Sequence, residues 1–234
     1  MPLNKQWKKK REINRLAPIE NKYYIFCEGE QTEPRYFEGF QECIASNSMY
    51  KNLVLIKIEG VGADTIRVIH SAIDYVTTNS IKNAQIWCVY DKDSFPPEHF
   101  NQVSEIANNL NNTQKNVTYK VAWSNQCIEY WFLLHFNYYD SDNDRPYYKD
   151  NLNINFRRKK LPPYTKNGIK LKGLKLFEIL TKEGDPKLAI RYAKQRIANC
   201  CGMSDTASAP ATKVYELVEE LAKYLPEDFK KRYM

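Results

Sequence analysis

The chain opens on polar and basic residues, then alternates between short apolar runs and longer stretches whose apolar positions recur every three or four residues. Lys22–Cys27, Leu53–Ile58, Gln85–Tyr90 and Val117–Trp123 are the short runs, and they read as strands. Between the first two, Tyr36, Phe37, Phe40, Cys43 and Ile44 fall at helical spacing, with Pro34 where a helix begins. Ile66, Val68, Ile69, Ile73 and Val76 mark a second helix, with Asp64 as its candidate N-cap. Pro96 and Pro97 open a third that runs to about Leu110, and Cys127–Phe136 reads as a fourth. Strand and helix taken in turn predict an α/β fold, with about four parallel strands flanked by helices. Right-handed crossovers bring the C-terminal ends of such strands to one edge, where open α/β sheets place their ligand sites. Glu28, Asp91 and the Ser124-Asn125 pair fall at that edge.

Beyond Phe136 the pattern changes. Asn137–Pro146 is polar, and residues 147–170, rich in Lys, Arg, Asn and Pro, read as an irregular insertion. Leu174–Thr181, Pro186–Asn199 and Ala211–Tyr224 read as helices, with a Ser/Ala/Thr-rich turn from Gly202 to Pro210. The chain therefore divides into a flexible basic arm over residues 1–20, an α/β domain over 21–138, and the insertion plus a helical unit over 139–234.

Composition narrows the class. A length of 234 residues, 43% hydrophobic and 13% aromatic, supports a folded core rather than disorder. A net charge of +7 favours a polyanionic partner. The charge is concentrated: Lys8, Lys9, Lys10 and Arg11 lie in the N-terminal arm, and Arg157, Arg158, Lys159 and Lys160 form a second run. Both are candidate nucleic-acid contacts. The six cysteines include no CxxC pair, so neither a disulfide framework nor a zinc site is expected. No apolar stretch reaches membrane-spanning length, and no apolar h-region follows the basic N-terminus. A reducing cytoplasm fits this composition.

The candidate chemistry lies where strands end in acids. The first run stops at Glu28-Gly29-Glu30, with Glu33 following, and the third stops at Asp91-Lys92-Asp93. Carboxylates gathered at a sheet edge are oxygen ligands for a hard cation such as Mg²⁺ or Mn²⁺. Like charges held together raise one another's pKa unless a cation neutralises them. Glu33 also reads as an acidic residue stabilising a helix N-terminus. Glu129, on the most apolar helix of the chain, needs a partner: Arg35, Arg67 or the acidic site itself. His135 on the same helix reads as a packing residue. Asp140, Asp142 and Asp144 lack the glycine and the closing glutamate of a calcium loop and read as a solvated turn.

Glu28 through Phe37, Tyr90-Asp91-Lys92-Asp93, and Ser124-Asn125 with Glu129, Trp131 and Leu133-Leu134-His135-Phe136 resemble the RloB family in order and spacing. Ala209-Pro210-Ala211-Thr212-Lys213-Val214 resembles that family's closing turn, with Ala209 where Asn is usual, and Gln126 stands where Pro often follows the Asn. The resemblance implies a Toprim-like (Rossmannoid) fold in which Glu28, Asp91 and Asp93 hold divalent metal. It further implies a role in bacterial abortive infection or anti-phage defence, beside an ABC-type or AAA-like ATPase. Related Toprim effectors cleave nucleic acid, tRNA included.

The expectation is a Mg²⁺-dependent nuclease. Glu28, Asp91 and Asp93 would be catalytic and metal-binding, and Lys92 would face the phosphate. Glu30, Glu33, Asn125 and Glu129 would surround them. Two other classes compete: a non-catalytic regulatory subunit of an ATPase complex, and a metal-dependent nucleotidyl- or phosphotransferase. The chain has no Gly-x-x-x-x-Gly-Lys-Ser/Thr loop, which argues against P-loop nucleotide hydrolysis.

Overall fold

A computed structural model describes residues 19–93, 96–165 and 175–234. The predicted strands form β1 (Asn21–Cys27), β2 (Val54–Gly60), β3 (Ala84–Asp91) and β4 (Val117–Asn125), all parallel. A two-residue strand, β5 (Ala211–Thr212), adds to β4 in the antiparallel sense, giving the order β2-β1-β3-β4-β5. The connection from β1 runs outward to β2, and the next crosses back over β1 to β3. β1 and β3 are neighbours whose connections leave in opposite directions, so the sheet's switch point lies between them.

Side chains alternate across the sheet, and both faces are covered. Tyr23, Ile25, Cys27, Trp87 and Val89 enter one core. Tyr24, Phe26, Ile86, Cys88 and Tyr90 enter the other. The second core is thin, closed by α2 (Thr65–Thr78) and α3 (Pro97–Thr113). Asp64 caps α2 as its position predicts, accepting a hydrogen bond from the Arg67 backbone N–H at 3.1 Å. The first core is thick. It joins α1 (Thr32–Ser46) and α4 (Ile128–Leu134) to the later helices α6 (Leu176–Glu183), α7 (Pro186–Asn199) and α8 (Val214–Ala222). A last short helix, α9 (Glu227–Lys230), rests Phe229 against this core. Residues before and after Phe136 share this apolar cluster.

The first part of the stretch read as irregular is helical, and residues 166–170 of it lie outside the described residues. Residues 145–158 form a helix, α5 (Arg145–Arg158), which buries Tyr148, Leu152 and Phe156 along one stripe. Asp144 is its N-cap, accepting from the Tyr147 N–H at 3.0 Å, and Pro146 occupies its first turn. The Asn- and Arg-rich remainder is the solvent side of an amphipathic helix. Similarly, Ala211 and Thr212 belong to a strand rather than to the helix that follows. Lys8, Lys9, Lys10 and Arg11 lie outside the described residues. Among the described residues, no helix is long and apolar enough to cross a membrane. All six cysteines are free thiols.

Candidate metal centre at the switch point

β1 and β3 deliver their carboxylates to the same place. The ladder continues one residue beyond β1, with Glu28 N–H donating to Val89 O at 2.9 Å. Glu28 Oε2 in turn accepts from the Asp91 backbone N–H at 3.2 Å and from Thr65 Oγ1 at 3.3 Å. The side chain at the end of one strand is thereby tied to the backbone at the end of its neighbour. Asp91 continues the Trp87–Val89 face and so turns toward the thick layer of helices. Asp93 follows in a left-handed conformation, φ 41°, which aspartate tolerates better than most residues. Its backbone N–H donates to Gln126 O at 3.0 Å.

A cavity of about 420 Å³ opens above this junction. Glu28, Glu30, Glu33, Asp91, Asp93 and Glu129 line it, and Arg145 is the only basic side chain to do so among the described residues. The acids come from different elements: the end of β1, the first turn of α1, the end of β3 and the first turn of α4. Asp91, Glu129 and Glu33 are 2%, 4% and 6% exposed, so they meet the cavity from its buried wall, while Glu30 stands at its exposed rim. Gly29 has a specific purpose here. A Cβ on it would come within 2.3 Å of Glu33 Oε2, so glycine lets that carboxylate lie against the turn.

Arg145 projects from the first turn of α5. Its Nη2 donates to Asp91 Oδ2 at 2.6 Å and lies 2.9 Å from Asp93 Oδ1; its Nε is 3.6 Å from Glu129 Oε2. Glu129 Oε1 accepts from the Tyr164 hydroxyl at 2.9 Å. One guanidinium thus faces three carboxylates. Two buried oxygens, Asp91 Oδ1 and Glu129 Oε2, remain without a hydrogen bond.

Burial first, and the crowding of acids after it, set the titration of the site. Burial, then the neighbouring Asp93 and Glu33, pushes Glu28 up to about 7 against the opposing Asp91 and Thr65 hydrogen bonds. Burial also raises Glu33, with Glu129 adding to it, and raises Asp91 well above the usual range, with Glu33 adding to it and Arg145 opposing. Arg145, despite burial, is held firmly charged by Asp91, Glu129 and Asp93.

Not every predicted residue joins. Lys92 lies beside the cavity rather than on its wall, with Nζ donating to Asp93 O at 3.3 Å. Asn125 turns away, donating to Asp205 O at 3.0 Å and Thr206 O at 2.7 Å. Ser124 shares a 3.0 Å hydrogen bond with Thr212 of β5. Arg157, Arg158, Lys159 and Lys160 are exposed at the far end of α5. His135 is buried among core residues, its Nδ1 3.1 Å from Trp131 O and its ring against the Trp131 ring. Burial lowers it to about 4, so it stays neutral. Glu129 pairs with neither Arg35 nor Arg67 in a salt bridge; its partner is Arg145. Arg145 and Tyr164 are the residues sequence reasoning missed. The signal for Arg145 was available in Asp144-Arg145-Pro146, a cap followed by a first-turn proline. Nothing local marked Tyr164.

A divalent cation fits the chemistry of this donor set: all oxygen, acidic, partly dehydrated and short of positive charge. As the side chains stand, no three His, Cys, Asp or Glu groups among the described residues surround a common point able to hold an ion. Arg145 reaches the carboxylates from which such a group would be drawn.

Comparison with curated proteins and with solved structures found no match. The model of the RloB-like protein family matches residues 23–221, a span that takes in both strand ends, α5 and β5, and the chain belongs to that family.

Proposed function

We propose that the chain is a Mg²⁺-dependent Toprim-type nuclease, the effector of a bacterial anti-phage or abortive-infection system, working with an ATPase partner. The observation that carries this reading is the meeting of Glu28 and Asp91 at the β1/β3 switch point, with Asp93, Glu33 and Glu129 around one cavity. Glu28, Asp91 and Asp93 are the residues that would hold the cation. Bound there, it would supply charge stabilisation for the scissile phosphate and an activated water. Asp91 and Glu28 are kept in register by the hydrogen bond between them. In the metal-free chain burial holds Glu28 up to about 7, and a bound cation would favour its ionised form. Glu33 and Glu129 add negative charge behind these ligands. The exposed run Arg157–Lys160 offers a track for a phosphate backbone, with salt-sensitive binding. RNA, tRNA included, and DNA are both candidate substrates.

The test is cleavage of tRNA and of plasmid DNA by the purified chain, with and without its ATPase, in Mg²⁺ or Mn²⁺. Cleavage that is lost in Glu28→Ala and Asp91→Ala supports the reading. Cleavage unaltered in both discards this site.

One observation favours a second reading. Asp91 and Asp93 are ion-paired with Arg145 within the chain, and such a cluster can be purely structural. The chain would then be a non-catalytic regulatory subunit of the ATPase complex. Stable ATPase binding with no calorimetric sign of Mg²⁺ or Mn²⁺ would favour it.

A further inference from the structure

The position of Arg145 bears directly on how a cation could enter the carboxylate cavity. We propose that Arg145 is a built-in counter-cation that competes with a divalent cation for Asp91 and Asp93, so that the metal binds only when the guanidinium leaves. The inference rests on the reading of the cavity as a divalent-cation site, and it concerns how that site is loaded.

Four observations support it. Nη2 approaches Asp91 Oδ2 at 2.6 Å and Asp93 Oδ1 at 2.9 Å, using one oxygen of each proposed ligand. A cation bound to those oxygens would lie at roughly 2.0–2.6 Å from them, side by side with a fixed positive charge. Arginine cannot relieve that repulsion by losing its proton, so it must move. Second, the guanidinium satisfies the site only in part. Asp91 Oδ1 and Glu129 Oε2 are buried without a hydrogen bond, although both carboxyl groups face Arg145. In a filled ion pair such acceptors are normally satisfied. Third, six acids on the cavity wall meet one base, so a single guanidinium leaves half of the carboxylates without an ion pair to it.

The fourth is mechanical. Arg145 is the first residue of α5, and its side chain is 32% exposed. The helix is anchored further along by Tyr148, Leu152 and Phe156, and its start is fixed by Asp144. Rotation of one terminal side chain into solvent therefore disturbs neither the helix nor the core. Glu129 keeps its Tyr164 hydrogen bond meanwhile.

The competition has a defined consequence. Metal affinity of the resting chain is reduced by the fraction of molecules in which Arg145 sits on the carboxylates. The Arg145 contact thus sets the threshold for loading, and anything that draws the guanidinium outward, a phosphate group included, lowers it.

The experiment is calorimetric titration of Mn²⁺ into the full chain and into Arg145→Met, Arg145→Lys and Asp91→Ala, each checked for folding by circular dichroism. The proposal predicts that Arg145→Met binds Mn²⁺ roughly tenfold or more tightly than wild type. Arg145→Lys, which keeps the charge, should remain near wild type, and Asp91→Ala should lose binding. Arg145→Met binding no tighter than wild type, while Asp91→Ala loses binding, overturns the competition and leaves the metal site standing. No saturable binding by wild type or Arg145→Met overturns both. A second measurement does not depend on the Met variant folding. In wild type, the Arg145 Nε–H resonance, assigned by its loss in Arg145→Lys, should shift to rapid solvent exchange as Mg²⁺ is added. A resonance unmoved at saturating Mg²⁺ overturns the proposal.

Discussion

β1 and β3 on one side and β4 on the other end at the same edge of one sheet, but those ends have opposite fates. Glu28 and Asp91 finish their strands facing a cavity. Ser124 and Asn125 finish β4 sealed under the returning chain. Ser124 bonds Thr212 of β5, and Asn125 bonds the carbonyls of Asp205 and Thr206. Lying at the C-terminal edge of a parallel sheet therefore does not make a residue part of the site. What distinguishes the two places is connectivity. At the switch point the chain leaves β1 and β3 in opposite directions, and a cavity opens between their ends. At β4 the C-terminal segment comes back to add a strand. Polar residues there are spent on holding the closure.

This contrast can be broken most sharply by matching substitutions at the two places. Asp91→Ala should lower nucleic-acid cleavage by roughly 10³-fold, the scale of several kcal/mol of lost charge stabilisation. Asn125→Ala should leave the cleavage rate constant of the folded protein within a few-fold of wild type. A single-turnover cleavage assay reads both, and equal losses would mean that the two ends form one site.

The next effect is on stability against pH. Glu28 titrates at about 7 in the folded chain against an ordinary 4.5. A carboxyl raised in this way favours the folded state below pH 4.5, and that contribution is lost as pH rises through 7. Metal-free wild type should lose up to about 3 kcal/mol of stability across that window from this group, and Asp91 and Glu33 act in the same direction. Glu28→Gln should flatten the profile, as measured by urea denaturation at stepped pH.

A smaller effect belongs to the sealed end itself. Asn125→Ala removes two hydrogen bonds, to the Asp205 and Thr206 carbonyls, which costs about 2 kcal/mol. Ser124→Ala removes one and costs about 1 kcal/mol. Chemical denaturation should register both, while Mn²⁺ affinity stays at the wild-type value. The smallest effect per residue falls on the exposed run at the end of α5. Replacing Arg157, Arg158, Lys159 and Lys160 one at a time by Ala should reduce the salt dependence of nucleic-acid binding by about 0.9 per lost phosphate contact. Fluorescence anisotropy across a salt series measures it.

The same contrast explains what could be read from the sequence. β1 to β4 and the helices between them carry strong periodicity, because each strand is buried on both faces and each helix packs one face on the sheet. Glu28, Asp91 and Asp93 could be placed together because fold geometry alone joins strand ends. Glu33 was divided between a helix-start role and the site, and it has both: it lies in the first turn of α1 and on the cavity wall. α5 was misread because it shows the core only Tyr148, Leu152 and Phe156, diluted among Asn, Lys and Arg. Arg145 was missed along with it, since its role exists only in three dimensions. Asn125 was misplaced because the return of β5 depends on long-range packing that no local pattern announces.

The most direct test of the central claim is the anomalous scattering of Mn²⁺ in crystals of the full chain. The account predicts a peak coordinated by oxygens of Glu28, Asp91 and Asp93, with the Arg145 guanidinium withdrawn. Crystals saturated with Mn²⁺ that show no peak in this cavity, and Arg145 still paired with Asp91, would contradict it.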